Sequence, residues 1–109
     1  MPRQTSITKD MIQKGSLDYV REYGIGNLSA RKLSTYIKCS TQPIYSYYEN
    51  ITALKDDIYT NIYDLLKVYM TKKTDVNAFF QMGYGYQKFA KKEPELFRCL
   101  YFSNNPKKL

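Results

Sequence analysis

The stretch LSARKLSTYIKCSTQPIYSYYENITALKDDIY, residues 28–59, decides the fold. Ser29 stands where an N-cap belongs, ahead of Ala30, Leu33, Tyr36 and Ile37 at helical spacing. This predicts a helix over 30–37 that faces inward through Leu33, Tyr36 and Ile37. Lys38-Cys39-Ser40 has room only for a tight turn. Ser40 is placed to cap a third helix starting at Thr41, with Pro43 in its first turn, where a missing N–H costs little. Ile44 and Tyr48 fall on its inner side.

Working outward, an earlier helix starts behind Thr8, with Asp10 in its first turn where an acid suits the helix dipole. Ile12, Gly15, Ser16, Tyr19, Val20 and Tyr23 recur at three- and four-residue steps along one face. Gly24 then supplies a left-handed stop. Downstream, Asn50 caps a long helix whose stripe is Ile51, Leu54, Ile58, Ile62, Leu65, Leu66 and Tyr69, ending near Met70. Lys72-Lys73-Thr74 breaks the pattern. Asp75 caps a fifth helix carrying Val76, Phe79, Phe80, Gly83, Tyr84, Tyr86 and Ala90. Glu93-Pro94 interrupts it and opens a sixth helix over 94–102. No alternating β pattern is present, so the fold class is all-α. A three-helix head is followed by a long connecting helix and two further helices, dividing the chain into 1–50 and 51–109.

Composition narrows the function classes. The 109 residues suit one small folding unit, and 43% apolar with 25% charged residues is ordinary for a globular chain. The net charge of +7 favours a polyanionic partner, although residues 1–55 carry +4 and residues 56–109 carry +3, so placement matters more than the total. With no histidine, a Ser-His-Asp site, a Cys-His site and a His-ligated metal are excluded. No metal site and no cofactor are expected. No nucleophile–base pair is visible, so the chain does not read as an enzyme. Cys39 and Cys99 lack metal-like spacing, and Met1-Pro2-Arg3-Gln4 opens no apolar signal run. The expectation is a cytoplasmic protein with reduced thiols and no membrane partner. Asp56, Asp57 and Asp64 read as solvated helix-surface acids, and Lys88, Lys91 and Lys92 as a solvated face.

Two short helices joined by a tight turn are the plan of a helix-turn-helix, whose second helix enters the major groove by its N-terminal residues. Residues 28–59 resemble the TetR family of transcriptional regulators. The shared features are a small capped helix, a turn, Ser, a variable pair, an apolar residue, Tyr and an aromatic pair, then a polar turn and a long helix. The upstream helix ending at Gly24 fits, and FAKKEPELFRCLYF at 89–102 resembles a stretch of that family's regulatory domain.

The resemblance implies sequence-specific binding to a duplex operator. Thr41, Gln42, Pro43, Tyr45 and Ser46 match positions that meet base edges. Gln42 can read adenine bidentately and Pro43 can touch a thymine methyl. Tyr47 and Ser29 match phosphate contacts, which fix register. Two positions depart from the pattern. Ile51 stands where Lys is usual, with Lys55 one turn on as a substitute phosphate anchor, and Lys38 stands where Gly is frequent. Family ligand pockets lie beyond the head, which makes Tyr63, Phe79, Phe80, Met82, Tyr86 and Phe97 candidates to line a cavity for a small apolar or cationic effector, with simple core packing the alternative. The resemblance implies a repressor released by that effector and a homodimer in the full-length form, whose dimer-forming helices are not in the 109 residues. The competing reading is a protein-interaction module of the same fold that does not itself bind DNA.

Overall fold

The computed structural model describes residues 6–71 and 78–102, and the chain is all-α. Six helices follow in order: α1 Lys9–Tyr23, α2 Ala30–Ile37, α3 Gln42–Tyr47, α4 Ile51–Thr71, α5 Ala78–Lys92 and α6 Pro94–Phe102. No helix among the described residues is long and apolar enough to cross a membrane.

Local chemistry sets most of the boundaries. Thr8 accepts the Met11 N–H at 3.1 Å, Ser29 accepts that of Lys32 at 3.1 Å, and Asn50 accepts that of Ala53 at 2.9 Å. Each satisfies one of the orphan donors of a helix start. Gly24 ends α1 at φ 82°, ψ 167°, while its N–H bonds the Val20 carbonyl at 2.8 Å. That conformation is an extended positive-φ region essentially reserved for glycine, rather than the left-handed helical cap expected from the sequence. Lys38 does adopt the left-handed region, at φ 62°, ψ 50°. Its turn is closed by the Cys39 N–H bonding the Ser34 carbonyl at 2.9 Å. The start of α3 differs from expectation. Thr41, not Ser40, occupies the N-cap position, and it makes no side-chain cap bond. Pro43 in the first turn removes one N–H that a cap would have served.

One continuous core joins the head to the later helices. Ile12, Val20, Leu33, Ile44, Leu54, Ile58 and Ile62 are buried together with Phe89, Leu96 and Leu100. Helix α1 packs on α2, α4 and α6, and α4 packs on α5 and α6. Two glycines permit close approaches. A Cβ on Gly15 would run into Cγ2 of Ile37, so this glycine lets α1 meet the end of α2. A Cβ on Gly85 would run into the Tyr69 carbonyl oxygen and lie 2.8 Å from Cα of Met70, so α4 and α5 touch backbone to backbone there. The two halves are also tied electrostatically. Arg21 on α1 donates twice to Glu93 at the α5–α6 junction, at 2.8 and 3.0 Å, and also to Asp18 at 2.9 Å.

Candidate nucleic-acid interface

Helix α3 is short, and its two sides differ sharply. Ile44 and Tyr48 are buried, which fixes the helix from behind. The opposite side presents Gln42, Tyr45, Ser46 and Tyr47, with Tyr45 56% and Tyr47 44% exposed. Thr41 and Pro43 are half-buried at the helix start.

Tyr48 is the anchor. Its hydroxyl donates to Asp57 Oδ2 on α4, and Gln13 Nε2 on α1 donates to the same oxygen at 2.9 Å. The ammonium of Lys9 lies 5.6 Å from the Tyr48 ring centroid, within cation–π range. Burial, and then the neighbouring carboxylate, push the Tyr48 hydroxyl well above its ordinary value, so it stays protonated as a donor. Asp57 therefore does not fit the expected solvated acid. It is half-buried and accepts two hydrogen bonds that join α1, the end of α3 and α4. The only hint in the sequence was its spacing of nine residues from the inward Tyr48, and composition cannot reveal such a pairing.

The outward residues carry polar groups with donors and acceptors free to face a partner. Gln42 presents an amide with both donors and acceptors, the pair of groups that suits the N6/N7 edge of adenine. Ser46 donates its hydroxyl to the Gln42 carbonyl at 3.0 Å, so its oxygen remains available outward as an acceptor. The Tyr45 hydroxyl stands in solvent at the helix surface. Tyr47 reaches back to the Ile7 carbonyl at 3.4 Å, a long bond easily exchanged for a phosphate oxygen. Ser29 is committed to capping α2, which does not stop its oxygen lying beside a backbone donor cluster at a helix start.

Cations lie on α2, on the turn after it and on α4. Arg31, Lys32 and Lys38 are exposed and Lys55 is half-buried, and none of the four forms an ion pair with a described carboxylate. Glu49, in the turn after α3, is the exposed acid closest in sequence. No three of His, Cys, Asp and Glu gather as a metal site among the described residues.

The six residues expected around an effector are placed unequally. Tyr86 and Phe97 meet edge to face with ring centroids 5.6 Å apart, and both also approach Tyr101. Tyr63 is half-buried on α4. Phe80 and Met82 point outward at 65% and 49% exposure, and the Phe79 side chain lies outside the described residues. Tyr101, which the sequence reading passed over, is thus the partner that Tyr86 and Phe97 share. No family model, no curated protein and no solved structure matches this chain.

Proposed function

We infer that this protein is a sequence-specific DNA-binding regulator of transcription, most simply a repressor, with α3 as its reading helix. The observation that carries this reading is the two-sidedness of α3. Gln42, Tyr45 and Ser46 face solvent while Ile44 and Tyr48 hold the helix from behind. Uncompensated cations on α2 and the turn support it, because phosphate contacts supply most of the affinity of such an interface. Gln42 reads a base edge, Ser46 accepts from one, and Tyr47, Lys38 and Lys55 set register on the backbone.

The test is duplex selection followed by titration against salt. A binding site should emerge from a random library, and log affinity should fall with log salt by about 0.9 per phosphate contacted. Gln42→Ala should cost about 1–3 kcal/mol on the selected site and much less on unrelated duplex. Equal loss on both, or no selected sequence at all, would rule out base reading by this helix.

One head alone makes a weak site, and paired heads reach useful affinity by spanning two half-sites. The regulator therefore works as a pair of chains. A small effector beside Tyr86 and Phe97 would act by favouring a head spacing that misfits the operator. A second reading is favoured by one observation. Val68, Phe80, Met82 and Tyr84 on α4 and α5 are large apolar residues at the surface, as a protein-binding face would have. A stable complex with another protein, together with no duplex selection, would support that reading alone.

A further inference from the structure

The geometry points to a ligand site outside the reading helix, a cleft between α1 and α2 that takes a small planar aromatic anion. The cleft has a volume of about 470 Å³ and is lined by Tyr19, Tyr23, Asn27, Arg31, Lys32, Thr35 and Tyr36. The groove is wide open to solvent, so it suits a flat group lying against its wall rather than one enclosed within it.

Its wall is built from three tyrosines in mutual contact. Ring centroids are 5.1 Å apart for Tyr19 and Tyr23, 5.5 Å for Tyr19 and Tyr36, and 6.1 Å for Tyr23 and Tyr36. The last two pairs are edge to face, so flat ring surface is left for a further aromatic group to stack on. The rings are held in place. Tyr36 donates its hydroxyl to Glu22 at 3.1 Å, and Tyr19 is buried in the core. Tyr23, by contrast, is 55% exposed, a large ring left standing at the mouth.

The charge on the wall has one sign. Arg31 and Lys32 line the cleft, whereas Glu22 and Asp18 do not. Both cations sit in the first turn of α2, which holds no acid, and neither pairs with a described carboxylate. Cations at that end of a helix oppose the dipole, which adds to the positive potential of the lining, while the carboxylate of Glu22 accepts from Tyr36 outside that lining. A ring with a carboxylate or phosphate attached satisfies both halves. The ring stacks on Tyr23 and Tyr36, the anion takes the Arg31 fork and the Lys32 ammonium, and Asn27 and Thr35 offer neutral hydrogen bonds. A duplex backbone would use the two cations but leave the tyrosine faces unused. The inference does not depend on DNA binding, and its test contains no DNA.

The experiment is isothermal titration of the full chain with 2-naphthoate and with adenosine monophosphate. The uncharged counterparts 2-naphthol and adenosine, and inorganic phosphate, are titrated in parallel. At least one aromatic anion should bind, with its uncharged counterpart at least about tenfold weaker and phosphate weaker still. Whichever of the two anions binds more tightly identifies carboxylate or phosphate as the preferred group. Tyr23→Leu and the double substitution Arg31→Gln with Lys32→Gln should each weaken binding by about tenfold or more, with unchanged helical circular dichroism. The inference is overturned if neither anion binds at millimolar concentration or if phosphate alone binds as well. Equal binding of charged and uncharged rings overturns it too, as does full affinity in both variants.

Discussion

Lys38 carries the clearest strain among the described residues, a non-glycine residue at φ 62° in the turn that sets the α2–α3 geometry. A Cβ in that region costs about 1–2 kcal/mol, and glycine gives back part of the gain through greater freedom in the unfolded chain. Lys38→Gly should therefore stabilise the fold by about 0.5–1 kcal/mol, seen as a rise of a few degrees in the melting temperature. A β-branched replacement such as Lys38→Val should lower it. Cys99 makes a second prediction at this scale. Burial, helped by Glu95, lifts its thiol from 9.0 to about 11. The folded state then holds its proton through a range where the unfolded chain has already lost it, so stability is complete below pH 9 and declines as pH rises toward 11. Tyr101, raised to about 12 mainly by burial, adds to the decline above pH 10. Chemical denaturation across pH 8–11 should show a loss of about 2 kcal/mol attributable to Cys99, and Cys99→Ala should flatten the curve over that interval.

At the level of elements, the crossing of α4 and α5 depends on Gly85, where an added methyl would meet Tyr69 and Met70 backbone rather than a side chain able to turn aside. Gly85→Ala should cost about 3 kcal/mol despite the better helix propensity of alanine, measured as a shift of the urea midpoint. Gly83, with open space around it, should accept alanine and gain from it. The contrast explains what the sequence disclosed and what it withheld. Thr8, Ser29 and Asn50 are caps legible from residue type and spacing, and all three bond as read. The stripes of α1 and α4 are strongly periodic and match the buried sides, except at Tyr23, which the α1 stripe placed inward and the structure leaves 55% exposed. Helix α5 mixes aromatics with two glycines, so no single face stands out. Among its described residues the buried members are Gly85 and Phe89, while Phe80, Gly83 and Tyr84 lie outward. Inward placement there follows from where two backbones can touch, which hydrophobic periodicity does not encode. The outward side of α3 was legible for the converse reason, since Ile44 and Tyr48 are the apolar residues able to fix it. The Asp57 bonds were not legible, because they unite residues from three helices whose packing decides the meeting.

Considered whole, the molecule combines a head and the three following helices in one core, and several large apolar side chains stand exposed on α4 and α5. Val68, Phe80, Met82 and Tyr84 there are exposed. The pairing of chains proposed above needs a surface through which they associate, and Phe80 and Tyr84, four residues apart on α5, offer exposed apolar area for it. Sedimentation over roughly a hundredfold concentration range should show the weight-average mass rising with concentration, and Phe80→Ser with Tyr84→Ser should suppress the rise. A mass fixed at that of one chain throughout would assign pairing elsewhere. The carboxylate shared by Tyr48 and Gln13 bears on how such a pair could respond. Because Asp57 rides on the long helix and grips the end of the short one, the short helix has no independent heading. In the regulator proposed above, a turn of the long shaft by a few degrees carries the tip with it like a rudder on its stock.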